Sequence, residues 1–224
     1  MLKLGFRVEM DEEKVTVFPY AASATEPPAS CIVPADWSAA AFWWVWLSLQ
    51  PASCRLRVRK VQMDERQADS CVVHLLEPFG VRTLFDGEGA LIEKVEVMSH
   101  PESFCFDAKD SPDLVPLLIG MCCLKQLPAV LMNVENLQYK ESDRLQAMRQ
   151  NLSSWIDFRM SGNDLILNPL RTPEPPFDFD SHGDHRIAMA LALFASIQPQ
   201  LHLLYREVVS KSYPSFWQQL ESLL

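Results

Sequence analysis

Residues 111–126 read SPDLVPLLIGMCCLKQ, an aspartate beside a proline followed by a long apolar run. The same layout occurs as PADWSAAAFWWVWLSLQ at residues 34–50 and as GDHRIAMALALFASIQ at residues 183–198. The aspartates, Asp36, Asp113 and Asp184, are 77 and 71 residues apart, a spacing that suits a supersecondary unit repeated within a domain. We therefore predict three buried helices, each with an aspartate that can cap its N-terminus.

Hairpin signals alternate with these helices. Residues 75–95 and 151–170 each carry turn residues between alternating apolar positions, and the opening LKLGFRVEMDEEKVTVFPY looks like a third copy. Each unit then runs strand, helix, strand, helix, hairpin. The sequence predicts repeated βαβαββ units in an α+β fold with α/β-type layers.

The opening copy starts in the middle of a unit. We assign residues 1–20 to a residual hairpin of another domain, residues 21–32, which are rich in proline and alanine, to a linker, and residues 33–224 to the main domain. Because the first hairpin lacks the other elements of its unit, we expect a truncated chain or a split gene.

Composition narrows the class of protein. The 224 residues carry a formal net charge of −9, which disfavours nucleic acid and an anionic membrane as partners. The longest apolar run, Ala39–Leu49, is about half the length that a bilayer crossing requires, and the N-terminus does not resemble a signal peptide. The six cysteines show no CxxC spacing, so we expect reduced, structural cysteines in a cytoplasmic protein.

The densest polar cluster is NLQYKESDR at residues 136–144. On a helix starting near Lys140, Glu141 and Arg144 share a face, and Lys140 lies four residues before Arg144. Two cations at a helix N-terminus would favour an anionic ligand. The alternative is a solvated first turn with ion pairs inside the helix.

Two further clusters follow. The stretch HGDHR at residues 182–186 opens the third apolar helix, where it could hold an anion or simply cap the helix; His182 and His185 make only a weak metal signal. The stretch SKSYP at residues 210–214 places Lys211 on a predicted strand-to-helix loop, where a lysine is functional or merely solvated.

Taken together, these motifs resemble the EPSP synthase family, 3-phosphoshikimate 1-carboxyvinyltransferase. KESDR followed by LQAM, and GDHRIAM, look like family signatures, and VPADWSAAAF, Pro112-Asp113 and KSYP occur in the family's order. The resemblance runs from Gly5 to Gln219 and corresponds to the second half of the family's usual length. Gln138 stands where the family usually has arginine, and Trp37 stands in a segment of small residues.

The resemblance implies a fold, an activity and a set of roles. In the family, two domains of three βαβαββ units each, similar to inverted α/β barrels, close over phosphoenolpyruvate and shikimate 3-phosphate, with no metal or cofactor. It implies that Asp113 takes the proton of the shikimate hydroxyl and that Glu141 and Lys211 handle protons at the enolpyruvyl carbon. The implied binding residues are Asn136 and Lys140 for shikimate 3-phosphate, and Arg144, Arg186 and Lys211 for phosphoenolpyruvate, with His185 lining the pocket.

The family's N-terminal domain supplies the opposite wall of the site. We therefore expect this chain to need that N-terminal half as a partner and to be inactive alone. Two alternatives stay open. The chain could be a non-catalytic or degenerate binding domain that pairs with a separate chain, or it could belong to the related enolpyruvyl transferase that acts on a UDP-sugar.

Overall fold

The computed structural model describes residues 7–18 and 33–224, and the chain divides into two compact units, Met1–Pro34 and Ala35–Leu224. In the first unit, β1 (Val8–Met10) and β2 (Val15–Val17) pair as an antiparallel hairpin. The turn is held by the Asp11 carboxylate, which accepts hydrogen bonds from the backbone N–H groups of Glu13 and Lys14. The predicted linker at residues 21–32 lies outside the described residues.

The second unit contains six α-helices and nine strands in the described range. The helices are α1 (Trp37–Ser48), α2 (Val72–Leu75), α3 (Val115–Lys125), α4 (Arg144–Leu152), α5 (His185–Ala192) and α6 (Phe216–Glu221). The strands are β3 (Arg55–Arg59), β4 (Val81–Asp86), β5 (Gly89–Lys94), β6 (Phe104–Asp107), β7 (Ala129–Met132), β8 (Ile156–Ser161), β9 (Asp164–Pro169), β10 (Asp178–Asp180) and β11 (His202–Leu204).

Three helices form the centre of this unit, as the sequence predicts. Helices α1, α3 and α5 are buried along nearly their whole length, and α3 packs against both of the others. A helix that is apolar on every side is stable only when it is surrounded by protein, which explains the absence of polar faces in these segments. The sheets contribute the surrounding layer.

The middle repeat is a complete βαβαββ unit. It runs β6, α3, β7, α4, β8, β9, and its strands lie in the order β6-β7-β9-β8 with one parallel pair, β6 and β7. The preceding repeat supplies the antiparallel sheet β3-β5-β4 after α1, and the following repeat supplies β10, α5, β11 and α6 with β10 and β11 parallel. The predicted α+β class is confirmed.

Only two of the three repeated aspartates cap their helices. The Asp36 carboxylate accepts from Ser38 N and Ala39 N at the start of α1, and Asp184 accepts from Arg186 N at the start of α5. For Asp113 the prediction of a cap is wrong. It lies in a 3-10 helix, Pro112–Leu114, that leads into α3, and its carboxylate is directed to cations elsewhere.

Two predicted boundaries are also wrong. Helix α4 begins at Arg144 rather than near Lys140, because Asp143 accepts from Gln146 N and acts as the N-cap. Lys211 is the last residue of a 3-10 helix, Arg206–Lys211, and not part of a strand-to-helix loop. The strand before it ends at Leu204, because Tyr205 takes a left-handed conformation with φ of 56°. Among the described helices, none has the length and apolar character needed to cross a membrane.

Candidate active site

The N-terminal ends of the three central helices meet at one pole of the second unit. Arg186, in the first turn of α5, has its Nε 3.4 Å from Oδ2 of Asp113, just before α3. Ser38, in the first turn of α1, lines the same cleft as Asp113. Because a helix N-terminus carries partial positive charge and free N–H groups, this convergence favours an anionic ligand at the pole.

Arg144 lies at the centre of the pole and contacts three carboxylates. Its Nε donates to Asp184 Oδ2 at 2.8 Å, its Nη1 to Asp113 Oδ1 at 2.8 Å, and its Nη2 to Glu141 Oε2 at 2.7 Å. The arginine side chain is 2% exposed and that of Asp184 is fully buried, whereas Asp113 and Glu141 reach solvent. The planar fork of the guanidinium thus fixes the positions of three acids that are distant in sequence.

The charges in this cluster shift one another's ionisation. Burial alone would raise the pKa of Asp184, but its hydrogen bond and charge interaction with Arg144 outweigh burial and hold that pKa below its usual range. Burial likewise opposes ionisation of Asp113, and the cations of Arg186, Arg144 and Lys140 together bring its pKa below the ordinary value. Both aspartates are therefore ionised at neutral pH.

Arg186 differs from Arg144 in having unused hydrogen-bond donors. It is 7% exposed, and its Nε and Nη1 atoms are buried without a hydrogen-bond partner in the described part of the chain. The 3.4 Å approach to Asp113 is an ion pair that lacks hydrogen-bond geometry. Buried donors without a partner are costly, so the arrangement suits an anion that supplies the acceptors.

Lys140 and Asp113 line an open cleft of about 290 Å³. Its Nζ is 3.5 Å from Asp113 Oδ1, so this carboxylate has three cations around it. The rest of the cleft is lined by polar side chains and turn residues, namely Ser38, Gln67, Ala68, Asp69, Asp110 and Pro112.

His185 lies beside Glu141, and Lys211 lies near His185. The Nδ1 atom of His185 is 3.7 Å from Glu141 Oε1 and is buried without a hydrogen-bond partner in the described ranges. Burial, followed by the charge of Arg186, lowers the pKa of His185, which keeps the imidazole neutral at physiological pH. Lys211 is near enough to contribute to the same shift, although its own side chain is exposed.

Seven of the eight predicted site residues are thereby brought to one pole: Asp113, Lys140, Glu141, Arg144, His185, Arg186 and Lys211. The eighth, Asn136, is exposed on the 3-10 helix Glu135–Tyr139, and no hydrogen bond joins it to the cluster within residues 33–224. His182 is also exposed, outside α5, so it does not pair with His185. In the described ranges, no three or more histidine, cysteine, aspartate or glutamate side chains are arranged so that they could hold a metal ion.

Sequence reasoning missed three polar residues at this pole. Asp184 was assigned only a capping role, yet it also binds Arg144, and Ser142 Oγ donates to its Oδ2 at 3.1 Å. Asp69 is 7% exposed and lines the cleft beside Asp113. Asp69 sits in RQADSC, which has no repeat or motif character, so only the fold could bring it to attention.

The chain is similar to known proteins along nearly its whole length. The family model "EPSP synthase (3-phosphoshikimate 1-carboxyvinyltransferase)" matches residues 1–220. A 3-phosphoshikimate 1-carboxyvinyltransferase from Methanopyrus kandleri is 31% identical over 198 residues, which are 88% of this chain and 44% of the relative. Another from Dehalococcoides mccartyi is 28% identical over 222 residues, 99% of this chain and 50% of the relative.

Solved structures agree on the fold. An EPSP synthase from Acinetobacter baumannii has a TM-score of 0.67 and 20% identity, with 99% of this chain and 52% of that chain covered. The enolpyruvyl transferase NikO from Streptomyces tendae has a TM-score of 0.69 and 16% identity, with 99% and 50% covered. The chain spans about half the length of the curated relatives that it matches.

Proposed function

The chain belongs to the EPSP synthase family, and from this premise we propose that it forms one wall of an enolpyruvyl transferase site. The proposed reaction moves the enolpyruvyl group of phosphoenolpyruvate to the 5-hydroxyl of shikimate 3-phosphate and releases phosphate. The observation that carries the proposal is Arg186, because two of its buried nitrogens, Nε and Nη1, have no hydrogen-bond partner among the described residues and lie beside Asp113. Phosphate and carboxylate oxygens are the acceptors that such donors bind best.

The chemistry requires a base and an acid that act in order. The shikimate hydroxyl gives its proton to Asp113 while its oxygen bonds to the central carbon of the enolpyruvyl group. The methylene carbon takes a proton from Glu141 or Lys211 in the same addition. In the elimination, the same group removes that proton, the carbon–oxygen bond to phosphate breaks, and phosphate leaves.

The geometry supports these roles. Asp113 and Glu141 are bound to different nitrogens of Arg144, so the hydroxyl proton and the methylene proton are handled on separate sides of one guanidinium. Asp113 is ionised, as a base must be, since nearby cations lower its pKa. Lys140 beside Asp113 would hold shikimate 3-phosphate, and Arg186 would hold phosphoenolpyruvate. The family resemblance, and not a contact in the structure, adds Asn136 to the first role and Lys211 to the second.

We further propose that the opposite wall comes from the half of the family sequence that this chain does not match, and that the assembled protein acts in the cytoplasm. A pole that is open to solvent binds weakly, because closure of a second domain excludes water and completes the electrostatic field. The expected partner is therefore an N-terminal half, fused or separate.

The test is complementation. The chain is produced alone and together with the complementary half of a full-length relative, and phosphate release from phosphoenolpyruvate plus shikimate 3-phosphate is measured. We expect release only from the pair, and a loss of about tenfold to a hundredfold in kcat for Glu141→Gln and for Lys211→Ala. Asp157→Asn, an exposed change on β8, is the matched control and should leave kcat unchanged.

Three outcomes would count against the proposal in different ways. Full activity of the chain alone would remove the need for a second wall. A folded pair that binds both substrates without releasing phosphate would favour a binding domain. Transfer to a UDP-sugar in place of shikimate 3-phosphate would favour the related enolpyruvyl transferase that acts on a UDP-sugar.

A further inference from the structure

Asp69 is a buried carboxylate at the pole that has no role in the proposed reaction. It lies in the 3-10 helix Ala68–Cys71 and is 7% exposed, yet it lines the cleft shared by Asp113 and Lys140. Within the described ranges it belongs to no ion pair closer than 4 Å. Burial of a carboxylate without a close cation is unfavourable, because the charged form loses its hydration.

Its neighbours link it to Asp113. The hydroxyl groups of Ser38 and Ser111 lie near the Asp69 carboxylate and favour its ionised form. Ser111 is itself buried and immediately precedes the Pro112–Leu114 turn on which Asp113 lies. Asp69 and Asp113 therefore line one cleft, in which the Asp113 carboxylate is held by its hydrogen bond from Arg144.

The charged and titratable groups around Asp69 come from three elements. Asp113 faces it from the turn before α3, Arg186 faces it from α5, and Cys71, whose Sγ is 3.8 Å from Ser111 Oγ, follows it on its own element. Lys140 lines the same cleft. Burial is the largest cause of a raised pKa at Asp69, and the charge of Asp113 adds to it, whereas the pKa of Asp113 is lowered.

We propose that Asp69 is a positioning residue that acts through Asp113, because its negative charge in the shared cleft increases the affinity of Asp113 for the proton of the substrate hydroxyl. Three surrounding cations make Asp113 a weak base, and a second ionised carboxylate nearby offsets part of their effect. When Asp113 takes the hydroxyl proton, the two carboxylates together carry one negative charge instead of two. The inference rests on the proposed transferase function for its catalytic consequence, but not for the coupling itself.

The coupling is measured on the chain without substrate. Carbon-13 labelling of aspartate carboxyl groups allows each to be titrated by NMR, and the wild-type chain should show a lower transition dominated by Asp113 and an upper one dominated by Asp69. Asp113→Asn removes the like charge, so the Asp69 transition should move to lower pH by about half a unit or more. Asp157→Asn, which removes an exposed charge, should leave it in place. An Asp69 transition that is unchanged in Asp113→Asn would overturn the inference.

The catalytic consequence is measured on the complemented enzyme. Asp69→Asn keeps the shape of the side chain but removes its charge, so kcat should fall about tenfold with little change in KM. The rise in kcat that accompanies ionisation of Asp69 in the wild type should be missing from the pH profile of the variant. A purely structural role predicts an unchanged profile and would refute the proposal. A wild-type pair that releases no phosphate would instead refute the proposed function, with the NMR titration still deciding the coupling.

Discussion

Replacing Arg144 with methionine tests whether one guanidinium holds the pole together. Methionine has similar length and no charge, so the change leaves the fully buried carboxylate of Asp184 without its cation. Removing one partner of a buried ion pair costs about 3–5 kcal/mol. Asp184 keeps its hydrogen bonds from Ser142 Oγ and Arg186 N, which favours the lower part of that range. Asp113 and Glu141 are partly exposed and add no more than about 1 kcal/mol each.

The pH dependence of this loss has a definite sign. The pKa of Asp184 is lowered in the folded chain, so its contribution to the free energy of unfolding is present above the unfolded pKa of about 3.9 and is lost as the pH falls through the folded pKa. Without Arg144, burial dominates and raises the pKa of Asp184. Acidification then protonates the stranded carboxylate and removes its penalty, so the difference from wild type should shrink between about pH 7.5 and about pH 4.5.

Urea denaturation followed by tryptophan fluorescence provides the assay, since four of the six tryptophans lie in α1 at the core. We expect Arg144→Met to lose about 3–4 kcal/mol at pH 7.5 and clearly less near pH 4.5. The control is Arg159→Met on β8, an exposed arginine, which should change stability by about 0.5 kcal/mol or less. A loss below about 1 kcal/mol for Arg144→Met, or a loss that grows on acidification, would refute the claim that Arg144 stabilises the fold by pairing with buried Asp184.

Three further changes test other parts of the fold. Asp36→Ala removes the cap of α1 and should cost about 1 kcal/mol in the same urea assay, whereas no loss would mean that solvent satisfies the freed N–H groups. Gly120→Ala would place a methyl carbon 3.1 Å from Ala190 O and 3.2 Å from Leu193 Cδ1, so it should destabilise by about 1–2 kcal/mol, whereas Gly87→Ala, with open space around it, should be neutral. Burial, followed by the charge of Lys94, lowers the pKa of Lys125 from 10.5 to about 8. Because the unfolded chain binds more protons between those pH values, wild-type stability should rise with pH over that range, and the rise should be clearly smaller in Lys125→Met, where only the buried Lys94 still contributes.

The central helices could be predicted from sequence because their signal is local. Segments such as SAAAFWWVWLSLQ are apolar on every side, and only a buried helix accommodates that composition at this length. The hairpins were predictable for the same reason, from turn residues between alternating apolar positions. The start of α4 could not be predicted in the same way. Several polar residues before Arg144 could cap the helix, and only the folded chain shows that Asp143 does so, by accepting from Gln146 N.

The candidate site, in contrast to the helices, depends on contacts between residues that are distant in sequence. Motifs and their order identify most of its residues, but the contacts that define it join Arg144 to Asp113, 31 residues before it, and to Asp184, 40 residues after it. No spacing rule relates those positions, since the fold alone brings the ends of α3, α4 and α5 together. Asp69 carries no motif, so its place beside Asp113 could be read only from the folded chain.

The two arginines at the pole serve different purposes in this arrangement. Arg144 has hydrogen bonds from three of its nitrogens to protein carboxylates, so an incoming anion must compete with Asp113, Glu141 and Asp184 for it. Arg186, by contrast, has two buried donor nitrogens without a hydrogen-bond partner among residues 7–18 and 33–224. We infer that a phosphate or carboxylate binds first at Arg186, and that the main effect of Arg144 is to keep the candidate base and the candidate acid on separate sides of the reacting carbon. Interactions that hold reacting groups in place lower the barrier rather than the dissociation constant, so changes at Arg144 should appear chiefly in kcat and changes at Arg186 chiefly in KM.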